Sequence, residues 1–164
     1  MRRNALIVGA LSLVFAASIA QAQDKPNFSG TWNRVVDPNA PAPGGRGGGR
    51  GGLGMTATLT QDAKTLTITR TTQAGDVKAV YNLDGTDSKN TVMMGGGNAV
   101  EQVSKAAWDG SKLVITTNYA MGETAITTTT TLTLDASGQL AVSFTSPGRG
   151  GGEPTTTTTT YKKG

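Results

Sequence analysis

Hydrophobic residues alternate with threonine along most of this chain, from about residue 55 to residue 163. Leu66 and Ile68, for example, share one face of an extended segment, and Thr67 between them occupies the other. A two-residue period of this kind indicates β-strands, because successive side chains of a strand point to opposite faces. Threonine is β-branched and suits strands, and its hydroxyl suits the face in contact with water. The pattern predicts strands with one apolar face and one solvated face.

Ten such segments follow one another after the first 22 residues, and none of the intervening sequence has a helical period. Two kinds of turn separate them in alternation: short acidic turns such as Asp84-Gly85 and Asp109-Gly110, and looser connections such as residues 95–98 and 147–154. Successive turns of an up-and-down sheet lie at opposite ends. The acidic turns therefore define one end of the fold, the trim end, and the glycine-rich connections define the other, the soft end.

Ten antiparallel strands with one polar face must fold back to cover the apolar face, as a barrel or as a sandwich. Closure into a barrel also removes exposed strand edges, and short sequential connections favour pairing of neighbours in order. We therefore expect an all-β fold, an antiparallel up-and-down β-barrel of about eight to ten strands.

Residues 1–22 have the features of a secretory signal peptide. Arg2 and Arg3 precede an apolar run over residues 5–20, and Ala20-Gln21-Ala22 supplies the small residues that signal peptidase recognises. The run is too short, and too promptly followed by the cleavage pattern, to favour a permanent transmembrane helix. We expect cleavage after Ala22, a mature domain over residues 23–164 that does not span a membrane, and a periplasmic or secreted protein.

A low-complexity segment rich in Pro, Ala, Gly and Arg covers residues 38–54. It follows a first strand near residues 28–36 and cannot bury enough apolar surface to order itself. Because that first strand is not stable alone, the segment is expected to be a flexible loop inside a single domain, at the soft end.

Composition excludes several classes of function. Loss of Arg2 and Arg3 lowers the basic count from 15 to 13 against 11 acidic residues, a net charge of +2, which lacks the basic excess of a nucleic-acid binder. The chain has no cysteine for disulfides and no histidine, the usual general base and metal ligand. We expect a monomer that is not an enzyme and uses no cofactor or metal. A carboxylate-based hydrolase acting through Glu101 or Glu123 is the enzymatic alternative.

Three short motifs are informative together: Gly30-Thr31-Trp32, the segment Ala-Trp-Asp-Gly-Ser-Lys-Leu-Val over residues 107–114, and Tyr161-Lys162-Lys163. They resemble the calycin superfamily, the lipocalins and fatty-acid-binding proteins, and the fatty-acid-binding type above all. The chain is also similar to lipocalin-like exported bacterial proteins of unassigned role with a Gly/Arg-rich insert. The resemblance implies a ten-stranded barrel whose closed end holds Trp32, covered by Lys162 or Lys163 through a cation–π contact.

The chain differs from fatty-acid-binding proteins at two places. Residues 38–54 cannot form the helix-turn-helix lid that those proteins carry between their first two strands. Their carboxylate-binding Arg-x-Tyr on the last strand reads Thr159-Thr160-Tyr161 here, so the arginine is missing.

Strand parity places several candidates for ligand binding inside the barrel. Arg70 follows Leu66 and Ile68 on the inward face, where it either binds a ligand carboxylate or phosphate or extends into solvent. The inward tyrosines either line a pocket or belong to a filled core, and methionines beside the soft-end loops offer an adaptable apolar lining. These residues are Tyr81, Tyr119 and Tyr161, with Met93, Met94 and Met121.

The leading expectation is an exported, non-enzymatic binding protein, a lipocalin-like carrier or scavenger of a small apolar or amphipathic molecule. The alternative is a structural or interaction module of the cell envelope with a filled barrel core and no small-molecule ligand. Leucine and phenylalanine are scarce at the predicted inward positions, which favours a cavity over a filled interior.

Overall fold

A computed structural model describes residues 25–36, 52–72, 75–93, 98–148 and 151–164. The predicted signal peptide at residues 1–22, residues 38–51 of the predicted loop and Met94 lie outside these ranges. The described residues form an all-β fold. Its ten strands are β1 (Gly30–Arg34), β2 (Thr56–Gln61), β3 (Thr65–Thr72), β4 (Gly75–Asn82), β5 (Asp87–Met93), β6 (Ala99–Asp109), β7 (Lys112–Met121), β8 (Thr124–Leu134), β9 (Leu140–Ser146) and β10 (Thr155–Lys163).

The ten strands make one antiparallel sheet in the order β4-β3-β2-β1-β10-β9-β8-β7-β6-β5. Every strand pairs with the next one in sequence except β4 with β5, and β1 also pairs with β10. The two strands at the ends of this order, β4 and β5, are connected by the short turn over residues 83–86 and contact each other through side chains. The prediction of an up-and-down antiparallel β-barrel is confirmed, and the barrel is nearly closed.

The trim-end turns are built by aspartate side chains. Asp62, Asp84 and Asp135 each accept a hydrogen bond from the backbone N–H two residues later, over 2.7 to 2.9 Å. This contact imitates a backbone turn, which is why aspartate favours such positions. Gly85 follows with a φ of +82°, a conformation that other residues rarely adopt. The turn chemistry read from the sequence thus produces the short connections that keep neighbouring strands in register.

Apolar side chains fill the trim-end half of the interior. Trp32 is 1% exposed, and its Nε1–H donates to the backbone carbonyl of Phe28 over 2.8 Å. The ring of Phe28 in turn stacks on Trp108 with centroids 5.9 Å apart. The strands add mainly branched aliphatic residues, and the largest buried ones are Leu59, Leu66, Leu113, Ile115, Leu132, Leu140 and Val142.

The lysine that covers Trp32 is Lys163, whose Nζ lies 5.7 Å from the ring centroid. In the register of β1 with β10, Lys163 is opposite Trp32, whereas Lys162 is opposite Asn33 and belongs to the other face. Of the two lysines that the sequence offered for this contact, the structure selects Lys163. Gly30, with a φ of +142°, lies against the same lysine side chain.

The β5–β8 side of the interior is lined at mid-height by small polar side chains. Ser104 and Thr117 are opposite each other in the register and share a hydrogen bond of 2.8 Å between their hydroxyls. Thr128 is opposite Thr117 on the next strand, and all three side chains are buried. Small side chains at inward positions leave more interior volume than leucine or phenylalanine would.

Side chains bridge the seam between β4 and β5. The Val80 N–H donates to Asn90 Oδ1 over 2.8 Å, and Asn90 Nδ2 donates to the Val80 carbonyl over 2.9 Å. The Asn82 N–H donates to Ser88 Oγ over 2.7 Å. Asn90 and Ser88 are both buried. An amide side chain therefore supplies here the paired bonds that a neighbouring strand supplies elsewhere in the barrel.

Replacement of Asn90 by alanine is expected to destabilise the barrel by about 1 to 3 kcal/mol, because it leaves the N–H and carbonyl of Val80 without their partner. Urea unfolding measures the change. The matched control is Asn118→Ala on the outer face, where an exposed hydrogen bond to Thr127 is lost, and a change within about 0.5 kcal/mol is expected. Equal losses from the two variants would contradict the bridging role of Asn90.

The trim-end aspartates predict a loss of stability in acid. Backbone N–H donors, and for Asp84 first the Thr86 hydroxyl, lower the pKa of Asp62, Asp84 and Asp135 below the ordinary value of 3.8. A lowered pKa in the folded state means stability that is present above pH 3.8 and is lost as the pH falls through the folded-state values.

The variant with Asp62, Asp84 and Asp135 all changed to asparagine removes these three titrations. Urea midpoints compared between about pH 6 and about pH 2 should fall less for this variant than for the unchanged protein. An equally steep fall in both proteins would show that other groups cause the acid sensitivity.

Candidate ligand-binding site

Arg70 lies where strand parity predicted it. It is on β3, two residues after the buried Ile68, and it is opposite Ala57 of β2 and Val77 of β4. The side chain is half-buried on the inward face. A charged group therefore occupies the interior on the soft-end side of the apolar layer.

A second inward arginine, Arg34, is a site residue that the sequence analysis did not single out. It is the last residue of β1, two positions after Trp32, and it is opposite Tyr161 of β10. Arg34 is half-buried. The sequence contains one signal for the inward direction of Arg34, its two-residue spacing from Trp32. Because the strand ends at Arg34 and Asp37-Pro38 follow shortly, the direction of its side chain depends on the pairing with β10.

Tyr161 is buried, and its hydroxyl oxygen accepts a hydrogen bond from the Leu53 N–H over 2.8 Å. Leu53 itself is 4% exposed and belongs to the hydrophobic core. The low-complexity composition of residues 38–54 predicts a flexible loop that includes Leu53; in the structure this end of the segment is anchored inside the barrel. Gly52 belongs to the same anchor, since a Cβ there would lie 2.8 Å from the tyrosine Oη.

The positive charges of Arg34 and Arg70 affect the pKa values of the nearby tyrosines. Burial raises the pKa of Tyr161, and the Leu53 N–H and the positive charges of Arg34 and Arg70 partly oppose that rise. Burial also raises the pKa of Tyr81, with Arg70 again opposing it. Both phenols keep their protons at neutral pH, so they remain hydrogen-bond donors. We call Arg34, Arg70, Tyr81 and Tyr161 the interior cluster.

The other predicted site residues lie away from the interior cluster. Tyr119 is half-buried on β7, opposite Ile126 of β8, on the far side of the barrel from β3. Met121 ends the same strand and is 47% exposed. Met93 is 64% exposed and shares the outward parity of Lys89. The methionines lie at the soft-end rim, and the structure does not bring them to the arginines.

Negative charges in the described ranges lie on the outside. Lys89 pairs with Glu101 over 3.8 Å and Lys105 with Asp87 over 3.6 Å, and both exposed pairs cross β5 and β6 on the outer face. The turn aspartates lie at the trim end. Among the residues that the structure describes, no carboxylate shares the inward parity of Arg34 and Arg70 or forms an ion pair with them.

Other chemistries have little support in the same ranges. The part of the chain that the structure describes contains no group of three or more acidic, histidine or cysteine side chains able to hold a metal ion. It also contains no helix both long and apolar enough to cross a membrane.

Comparison with known proteins assigns no role to this site. No family model matches the chain, and no curated protein matches it. The nearly closed antiparallel barrel of ten strands is consistent with the calycin-like architecture that the motifs suggested.

Removal of the Tyr161 hydroxyl tests the anchored segment. We expect Tyr161→Phe to destabilise the protein by about 1 to 3 kcal/mol in urea unfolding, because the buried Leu53 N–H loses its acceptor. Leu53→Ala should cost about 2 to 5 kcal/mol through the lost burial and the cavity left behind. The control is Tyr119→Phe, for which a change within about 0.5 kcal/mol is expected. A similar loss in Tyr119→Phe and Tyr161→Phe would contradict the anchoring role.

Proposed function

We propose that this protein is an exported, non-enzymatic binding protein that takes a small amphipathic molecule into the barrel interior. The observation that carries the proposal is the interior cluster, in which two arginines and two tyrosines offer donors to the inside of a barrel. Interior charge of this kind serves no obvious need of folding, because partly buried charges without partners are unfavourable.

The two regions of the interior suit the two parts of such a ligand. The trim-end half is apolar, with Trp32 and the leucines around it, and would contact a hydrocarbon portion. Arg70 follows Ile68 toward the soft end of β3, and Arg34 ends β1, so the two arginines lie on the soft-end side of this layer and would contact a polar portion. Tyr161 belongs to the apolar core and Tyr81 packs against it, so the two tyrosines lie where the apolar and polar portions would meet. Pockets for small molecules commonly combine a mainly apolar lining with a few well-placed polar groups.

Export is proposed on the sequence of residues 1–22, with its basic start, apolar run and small residues at the cleavage position. The groups of the interior cluster support a binding role over catalysis, since guanidinium groups stay protonated at neutral pH and cannot act as general bases.

A second candidate function is a structural or interaction module of the cell envelope whose interior is filled by its own chain. The specific observation in its favour is Leu53, which reaches into the core beside Tyr161 and occupies space that a ligand would otherwise use. The two candidates make opposite predictions for added ligands.

Dodecanoate and dodecyl phosphate, each below its micelle concentration, and dodecanol, below its solubility limit, are suitable amphipathic probes. If the binding proposal holds, at least one should raise the melting temperature of the mature protein, residues 23–164, and change its tryptophan fluorescence, because ligand bound only to the folded state stabilises it. No response to any of the three would contradict the binding function and favour the filled barrel.

A matched pair of variants on β8 separates interior from surface binding. Thr130 faces inward opposite Phe144, and its neighbour Thr129 faces outward opposite Thr145. Thr130→Phe should weaken probe binding by at least about tenfold by filling interior space, whereas Thr129→Phe should leave it unchanged. If Thr129→Phe weakens binding as much, the probe binds to the outer surface and the proposal is wrong.

A further inference from the structure

The two inward arginines flank a small residue. In the register across β1, β2 and β3, Trp32 is opposite Ala57, and Ala57 is opposite Arg70. Arg34 follows two residues after Trp32 on the same inward face. Ala57, on the strand between them, has only a methyl side chain and is buried in the core, so it is much smaller than the two arginines on either side. Both side chains therefore reach the interior on one side of the barrel, from two strands that are separated only by β2.

The groups around this space donate hydrogen bonds. Each guanidinium has five N–H donors and no acceptor. The oxygen of Tyr161 already accepts the Leu53 N–H, which leaves its O–H as a further donor toward its surroundings. Two positive charges and a phenol proton thus face a part of the interior to which the described residues contribute no carboxylate.

Such an arrangement is unfavourable without a ligand. Two like charges on one side of a partly desolvated interior repel each other, and each loses some of its hydration. An oxyanion offsets both effects, since its negative charge reduces the repulsion and guanidinium groups bind carboxylate and phosphate oxygens through paired, charge-assisted hydrogen bonds.

We propose that Arg34 and Arg70, with the Tyr161 hydroxyl, form an oxyanion-binding site inside the barrel, so that the ligand carries a phosphate or carboxylate group. The inference rests on the proposed binding function and narrows its ligand class. In this site the charged contacts to the ligand come from β1 and β3, and the last strand, β10, contributes only the Tyr161 hydroxyl.

The selectivity of the unchanged protein is the first test. Isothermal titration with the three twelve-carbon probes compares ligands that differ only in their head group. Dodecanoate or dodecyl phosphate should bind at least about tenfold more tightly than dodecanol, because the charged head group gains the arginine contacts. Comparison of the two anions shows whether the site prefers carboxylate or phosphate.

The two proposals fail in different ways in this experiment. Equal affinity for the alcohol and both anions would overturn the oxyanion site while leaving the binding function intact. Tighter binding of dodecanol than of either anion would overturn it as well. Binding of none of the three would contradict the binding function itself.

Variants then locate the contact. Arg34→Gln and Arg70→Gln should each weaken binding of the preferred anion by about tenfold and leave dodecanol binding unchanged. Arg70→Lys keeps the charge but loses the paired geometry, and an intermediate loss is expected. The matched control is Lys78→Gln, which removes one positive charge from an exposed position on the neighbouring strand β4. An equal loss in Lys78→Gln would indicate a general effect of net charge and overturn the assignment.

Stability without ligand gives an independent readout. If the role of Arg34 and Arg70 is to bind a ligand, Arg34→Gln and Arg70→Gln should each melt, without ligand, at the same temperature as the unchanged protein or at a higher one. The reason is that each substitution removes an unpaired charge from the interior. A lower melting temperature together with unchanged anion selectivity would show that the arginines have a structural role and that the oxyanion site is wrong. The Arg70→Lys variant and the selectivity of the unchanged protein test the proposal even if a Gln variant does not fold.

Discussion

The pairing of β1 with β10 is the contact on which both the closed barrel and the interior cluster depend. It joins the first strand of the described chain to the last, and it is the only link in the hydrogen-bonded strand order between β1–β4 and β5–β10. The same register places Lys163 opposite Trp32 and Arg34 opposite Tyr161. A shift by one residue would turn every side chain of β1 to the other face. The closed end and the candidate site therefore depend on the same strand register.

A pairing between such distant segments is expensive in chain entropy, and it must be stabilised by burial. Phe28 and Trp32 supply much of that burial at the trim end, where the indole N–H also satisfies the carbonyl of Phe28. The opposite side of the interior contributes less apolar surface, because Ser104, Thr117 and Thr128 occupy its mid-height positions. The barrel is thus stabilised unevenly, with a compact apolar end and a more polar interior beyond it.

Two features of the barrel are arranged by side chains rather than by strand ladders. Asn90 bridges β5 to the backbone of β4, and the Tyr161 hydroxyl holds the backbone of Leu53. A few hydrogen bonds to side chains are easier to break than a full ladder, since each contributes only about 0.5 to 1.5 kcal/mol. If the interior admits a ligand, these are the places where the least interaction energy must be given up. The arginines of the interior cluster lie close to the second of them in the register.

The architecture could be derived from the sequence because it depends on local rules. Alternation of threonine with leucine, isoleucine and valine specifies strands, and Asp84-Gly85 or Asp135 to Gly138 specifies tight turns through contacts within a few residues. The inward direction of Arg70 followed from the same parity. These features need no knowledge of which strands meet, and the ten strands and their sequential pairing were anticipated for that reason.

Contacts between residues far apart in the chain were decided only by the tertiary structure. The sequence left Lys162 and Lys163 equivalent as covers for Trp32, and the β1–β10 register distinguished them. The role of Leu53 depends on a hydrogen bond to a residue 108 positions later, which no local pattern reveals. Arg34 became part of the interior cluster for the same reason. Strand periodicity determines which face a side chain occupies, whereas barrel closure determines what that face meets.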